Sequence, residues 1–251
     1  MTNIILRGCN GKMGQVITEL VDADEKAVIV AGIDVTQNRV NKYPVYQSFR
    51  KCNVKADVII DFSSPINLEE MFEFAVTKDV GIVLCTTGFT KEQLSLIDET
   101  TKKIPIFRSA NMSMGINLIT KLLKEAAVVL ADAGFDIEIV ERHHNKKVDA
   151  PSGTALALAD AMNEVLNQEY GYKYDRSGER IMRSKKEIGI SAVRGGTIVG
   201  EHEVIFAGTD EVIEIKHTAY SKAIFAKGAI QAAKFLPGKS AGMYHMSDIM
   251  G

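Results

Sequence analysis

The stretch that most constrains the fold is residues 3–34. Asn3-Ile-Ile-Leu-Arg7 reads as a short buried strand and runs straight into Gly8-Cys9-Asn10-Gly11-Lys12-Met13-Gly14. Helical periodicity then begins at once, with Met13, Val16, Ile17, Leu20 and Val21 on one face. A glycine turn between a strand and a helix lets backbone amides approach a pyrophosphate closely, where side chains would stand in the way. The spacing is G-x-x-G-x-x-G, and Asn10, a residue that tolerates positive φ, stands where a middle glycine is expected. A second apolar strand, Ala27 to Ile33, ends at Asp34, at the separation where a dinucleotide-binding unit places the carboxylate for the ribose hydroxyls. These residues predict a dinucleotide site at Gly8, Cys9, Asn10, Gly11, Lys12, Met13 and Asp34. Asp34 would repel a 2′-phosphate and Val35 follows it without a charge, so NADH is the expected cofactor, with NADPH open because Arg39 lies nearby.

The alternation continues, and it predicts a doubly wound parallel sheet. Val58-Ile-Ile-Asp61 is a buried strand, and Ser63-Ser-Pro65 supplies start signals for a helix with Leu68, Met71, Phe72, Ala75 and Val76 on one face. Ile82 to Cys85 is the next strand, and Thr90 with Gln93 forms a capping-box pattern for another helix. Ligands of such sheets sit at the carboxyl ends of the strands. The loops Asp61 to Ser64, Cys85-Thr86-Thr87 and Ser109-Ala110-Asn111-Met112 therefore join the glycine turn as candidates for holding the cofactor.

The pattern changes after Asn111. A long apolar helix with Leu118, Leu122, Leu123, Ala126 and Leu130 in phase leads to an alternating strand, Phe135 to Val140. Next comes Glu141-Arg-His-His-Asn-Lys-Lys-Val-Asp-Ala-Pro-Ser-Gly-Thr154, before a helix bearing Leu158, Ala161, Met162, Val165 and Leu166. Two imidazoles and two ammonium groups can hand over protons, and amides at a helix N-terminus hold an anion. A solvated basic loop capping a helix is the plain alternative. His143 and His144 face opposite ways on an extended chain, so only one can be the proton donor. Adjacent histidines do not chelate one ion, and no third ligand follows at helical spacing, so no metal is expected. Residues 169–187 read as a polar exposed loop, and 188–219 as strands turning at Gly195-Gly196 and Gly208-Thr-Asp210. This half is expected to be α+β on a mixed sheet, with an exposed sheet face suited to an oligomer interface. His202, His217 and His245 are expected to be structural or interface residues.

A net charge of −2 excludes the broad positive field that nucleic acid or an anionic membrane would require. No apolar run reaches bilayer length and the chain starts on a strand, so a cytoplasmic location is expected. Three cysteines at wide, irregular spacings suit neither a disulfide framework nor a metal cluster, and read as reduced packing residues.

Taken together, the chain resembles the 4-hydroxy-tetrahydrodipicolinate (dihydrodipicolinate) reductase family over nearly its whole length. The likeness is carried by Gly8-x-x-Gly11-x-Met-Gly14, Asp61-Phe-Ser with Pro65, Thr86-Thr-Gly88, and Asn111-Met-Ser with Gly115 and Asn117. It continues through Glu141 to Ala155, Val193-Arg-Gly-Gly, Gly200-Glu-His-Glu203, His217 to Lys222 and Phe225 to Ala229. The E-x-x-H-H-x-x-K-x-D-A-P-S-G-T-A run is highly specific. Cys85 stands where the family has the first glycine of a Gly-Thr-Thr-Gly loop, and Asn10 and Met112 are less usual choices.

The resemblance implies a nicotinamide-dependent reductase of the diaminopimelate route to lysine, acting on a cyclic imine dicarboxylate. It implies His143 as proton donor and acceptor, Lys147 as second proton donor, His144 as a substrate contact, and Ser152, Gly153 and Thr154 as the carboxylate cradle. It also implies a homotetramer, and a final segment that returns to the cofactor domain. The expected division is 1–114 with 222–251 for the cofactor and 115–221 for substrate and oligomerisation. Rival readings are another two-domain nicotinamide enzyme of homoserine-dehydrogenase type and a non-catalytic NAD(H) sensor.

Overall fold

The computed structural model describes residues 1–250, which fall into two compact units: 1–114 with 223–250, and 115–222. The second crossing lies after Lys222, one residue later than expected.

The first unit is a seven-stranded sheet. Its strands are β1 (Thr2–Arg7), β2 (Ala27–Ile33), β3 (Val45–Tyr46), β4 (Val58–Asp61), β5 (Gly81–Leu84), β6 (Pro105–Phe107) and β12 (Gly242–Tyr244), all paired in parallel. The order 3-2-1-4-5-6 is that of a Rossmann sheet, with β12 added at the far edge. Alternation along each strand sorts side chains into two cores. Ile4, Leu6, Val58 and Ile60 enter one with α1 (Lys12–Asp22) and α6 (Ala223–Phe235). Ile5, Ile59 and Ile82 enter the other with α2 (Leu68–Lys78) and α3 (Lys91–Thr101). Each fully buried aliphatic side chain contributes roughly 1.5–3 kcal/mol. The near-continuous apolar runs of these strands follow from burial on both faces.

The capping box at Thr90 and Gln93 is present, with side chain and backbone bonded reciprocally. The helix expected to begin at Ser63-Ser-Pro65 instead starts at Leu68, after Asn67 in the left-handed conformation. Residues 62–67 are held as a loop by Arg7, which donates to the carbonyls of Ser64 and Ile66. Leu68, Met71, Phe72 and Ala75 are buried as expected, while Val76 is exposed. The strand β12 and the terminal helix α7 (Met246–Met250) are too short to carry a periodic pattern in the sequence.

The second unit is a five-stranded mixed sheet in the order β11-β10-β7-β9-β8. It comprises β7 (Asp136–His143), β8 (Gly171–Lys173), β9 (Glu187–Arg194), β10 (Gly200–Ala207) and β11 (Val212–Ala219). β7 pairs in parallel with β9 and antiparallel with β10. The segment read as an exposed loop, 169–187, contains β8, which adds an edge strand to β9. Helices α4 (Met114–Asp132) and α5 (Gly153–Val165) cover one face with Leu123, Ala127, Leu158 and Met162 over Ile137, Ile139, Val204 and Phe206. Leu118 and Leu122, expected in that stripe, are exposed, because Leu122 sits about 100° round the helix from Leu123. No helix among the described residues is long and apolar enough to cross a membrane.

Candidate active site

The registers Arg7↔Ile33, Arg7↔Asp61 and Asp61↔Leu84 bring the carboxyl ends of β1, β2, β4 and β5 to one edge. The glycine turn, Asp34, the 62–64 loop and Cys85-Thr86-Thr87 therefore lie together. Gly8 has φ +81°, and a Cβ there would collide with the Phe62 carbonyl. A Cβ on Gly14 would run into the carbonyls of Gly8 and Cys9. The turn thus has the bare backbone that a pyrophosphate needs, and α1 begins at its end. A cavity of about 190 Å³ beside it is lined by Gly8, Ile33, Asp34, Val35, Phe49 and Ser63, among others, and suits a nucleoside end.

Asn10 does not take the left-handed conformation that its place in the motif invited. Its side chain is buried and pins the loop after β2, donating to the Thr36 carbonyl at 2.5 Å and accepting from Asn41 at 2.8 Å. Its N–H donates to Asp34 Oδ2 at 2.9 Å, while Thr36 donates twice to Oδ1. Asp34 is accordingly held in one orientation. Cys9 is a core residue whose thiol is pushed up to about 12, by burial first and by Asp34 second. Met112 also packs into the core, and Met13 packs against it. Lys12, Thr87 and Ala110 are exposed, and Ser109 Oγ donates to the Asn111 carbonyl at 3.0 Å.

Beneath the turn, Arg7 and Asp61 form a buried ion pair at 3.1 Å. Burial raises the Asp61 carboxyl above its usual range, and Arg7 opposes the shift. Thr86, also buried, accepts from the Ser63 N–H at 3.1 Å and ties two of the strand-end loops together. Cys85 is half-buried next to Asp61, and burial, with that charge, raises its thiol.

In the second unit, the end of β7 carries the charged stretch. Glu141 and His143 point to the same face because they are two residues apart on a strand. Glu141 is completely buried, and its carboxylate meets four donors. His143 Nδ1 lies at 2.6 Å, the Ser152 N–H at 2.9 Å, and the Arg194 guanidinium reaches both oxygens at 2.8 and 2.7 Å. Burial works against ionisation, but Arg194, His143 and Ser152 outweigh it, so Glu141 titrates below its usual range. Arg194 is raised in turn by its bond to Glu141. It also donates to the Asp149 carbonyl at 2.6 Å, fastening the loop before α5.

His202, opposite Glu141 on β10, places its ring edge-on to His143 at 5.1 Å, and its Nε2 meets Ser152 Oγ at 2.9 Å. Burial, then the neighbouring His143, lowers His202 to about 4, so it is a neutral imidazole at physiological pH. Lys147 follows on the loop, with Nζ 2.8 Å from Asp149 Oδ1. His144 is half-buried beside the buried His143, consistent with the two facing different ways.

Ser152 turns both of its polar groups inward. Its N–H serves Glu141, and its Oγ accepts from the Ala155 N–H and contacts His202. Gly153 and Thr154, the rest of the expected carboxylate cradle, form the first turn of α5. Three residues of this cluster were not among the sequence-based candidates: Glu141, Arg194 and His202, the last expected to be structural. The two-residue spacing of Glu141 and His143 was a usable signal. The other two depend on cross-strand register. Among the described residues, no group of histidine, cysteine or carboxylate side chains has the arrangement of a metal site.

A Rossmann sheet with a glycine turn, accompanied by an α+β unit with a buried acid–base cluster, defines a two-unit oxidoreductase. Residues 2–112 match the family model described as "Dihydrodipicolinate reductase, N-terminus", and residues 115–250 match "Dihydrodipicolinate reductase, C-terminus". The 4-hydroxy-tetrahydrodipicolinate reductase of Clostridium novyi (strain NT) is 49% identical, over 100% of this chain and 98% of its own. That of Clostridium tetani is 51% identical, over 98% and 96%. In fold, the chain is similar to a dipicolinate-bound dihydrodipicolinate reductase from Paenisporosarcina sp. TG-14, with TM-score 0.81 and 24% identity over 98% of this chain and 97% of that one. The chain belongs to the dihydrodipicolinate reductase family.

Proposed function

We propose that this chain reduces 4-hydroxy-tetrahydrodipicolinate, a cyclic imine dicarboxylate, to tetrahydrodipicolinate in the diaminopimelate route to lysine. The observation that carries the reading is the buried Glu141–His143 pair, bonded to the Ser152 N–H at the start of α5, on the strand that leads into the Lys147 loop. The nicotinamide, when bound, supplies a hydride to the ring. Gly8, Gly11 and Gly14 fit its pyrophosphate, because the turn closes too tightly to admit side chains at Gly8 and Gly14 and so keeps its backbone bare.

The second unit would meet the remaining needs of the reaction. Hydride addition drives negative charge onto the ring nitrogen, so an acid beside it stabilises the transition state. His143 and Lys147 are the groups that can deliver a proton, and His144 would contact the ring. A substrate carboxylate would lie on Gly153 and Thr154, at the positive end of the 13-residue helix α5. Nucleotide sensing alone needs none of these groups. The homoserine-dehydrogenase reading gives way to family matches that span both units.

NADH is the proposed cofactor. Asp34 is oriented by Asn10 and Thr36, and Val35, 79% exposed, brings no cation to a 2′-phosphate. The sheet face not covered by α4 and α5, with Val140, Val193 and Ile205, is the proposed surface for assembly into a homotetramer. The location proposed is the cytoplasm, where Cys9, Cys52 and Cys85 stay as free thiols.

The test is a coupled assay that supplies aspartate semialdehyde, pyruvate and the preceding synthase. NADH absorbance should fall only when all are present, with kcat/KM higher for NADH than for NADPH. Steady absorbance would refute the reaction, and an NADPH preference would refute the role given to Asp34.

A further inference from the structure

His143 has two ring nitrogens, and the proton-donor role leaves open which one does the work. Nδ1 lies 2.6 Å from Glu141 Oε2. Glu141 is buried, kept ionised by the two-pronged Arg194 contact and the Ser152 N–H, and has no proton to give. Nδ1 must therefore carry the proton in that contact. On the other side of the ring lies Gly200, the first residue of β10. A Cβ at Gly200 would stand 3.0 Å from His143 Nε2 and 3.3 Å from Cδ2, a tighter fit than side chains ordinarily accept. Its φ is not in the left-handed region, so backbone conformation does not explain the glycine. Clearance over the imidazole does.

We propose that Glu141 and Gly200 are positioning residues that assign the work to one nitrogen: Glu141 holds Nδ1–H and Gly200 leaves Nε2 uncovered for the ligand. In the protonated ring, the Nε2–H bond breaks and its proton passes to the substrate. The electron pair returns to the imidazole, which keeps Nδ1–H on Glu141. The groups around His143 are Glu141 on its own strand, Arg194 opposite it on β9 and His202 on β10; Lys147, from the following loop, and His217, paired with His202 on β11, both act on His202. Of these only Glu141 accepts from Nδ1.

This inference rests on His143 as proton donor, but its first test needs no substrate. In 15N-histidine-labelled protein, with the His143 signals assigned by their loss in His143→Asn, neutral His143 should show the Nδ1–H tautomer. An Nε2–H tautomer would overturn the proposal. The second test is Gly200→Ala. The tautomer should persist and the thermal melt should stay cooperative, while kcat falls at least about tenfold and the NADH Kd is unchanged. Unchanged kcat in a folded Gly200→Ala protein would overturn the clearance argument. Failure of the coupled assay with the Nδ1–H tautomer intact would count against the reductase reading and leave the ring orientation standing.

Discussion

The two units hold their sites together by opposite means. The nucleotide edge of the first is made from backbone: glycines at Gly8 and Gly14 that cannot bear a Cβ, a helix start at Gly11, and strand ends in register. Its buried ion pair, Arg7 with Asp61, lies under the turn and shapes a loop. The second unit concentrates charge instead, with Glu141 buried among His143, Arg194 and the Ser152 amide. A site that must bind a nucleotide needs close approach. A site that must move a proton needs ionisable groups held in fixed states, and such groups are stable inside a protein only when fully partnered.

The largest effect separating the two should come from Arg194→Met. It would leave Glu141 buried without its bidentate partner, and stability in denaturant should drop by about 3 kcal/mol. A loss below about 1 kcal/mol would mean that Glu141 is solvated and that the cluster is not the closed unit described. Lys147→Ala comes next. Its kcat should fall by roughly 100-fold or more, with the fold intact. If the loss lay wholly in KM, Lys147 would be a binding group and not an acid.

A smaller effect is expected in the pH dependence of stability. His202 is lowered to about 4 in the folded chain, against an unfolded value near 6.5. Between those values the unfolded chain holds a proton that the folded chain does not. The stability contribution is therefore complete above about pH 6.5 and is lost as pH falls towards 4. His202→Asn should flatten the stability curve in that window. An unchanged slope there would show that His202 does not titrate as a buried base.

The same contrast explains what could be read in advance. The parallel sheet, the glycine turn, Asp34 and the Thr90 capping box are local or periodic features, and each follows from neighbouring residues in the chain. Asn10 looked like a conformational substitute for glycine. Its actual role, tying down the loop around Thr36 and Asn41, requires contacts 26 and 31 residues away. The Glu141 cluster is less legible still. Arg194 is 53 residues from its partner, and His202 is 50 from Ser152. Only the pairing of β7 with β9 and β10 brings them together. Strand β8 was hidden because Gly171–Lys173 is three residues at a polar edge. Ser152 was rightly placed at the start of α5, but its inward bonds appear only once Glu141 and His202 are in position.

The most direct test of this division is calorimetric titration of NADH into the wild-type protein, Gly14→Val and Lys147→Ala. A branched side chain at position 14 meets the Gly8 and Cys9 carbonyls, so affinity should weaken by roughly tenfold or more. Lys147→Ala should bind NADH as the wild type does. If Lys147→Ala lost affinity as severely as Gly14→Val, the second unit's charges would be serving the nucleotide, and the assignment of backbone to cofactor and charge to substrate would be wrong.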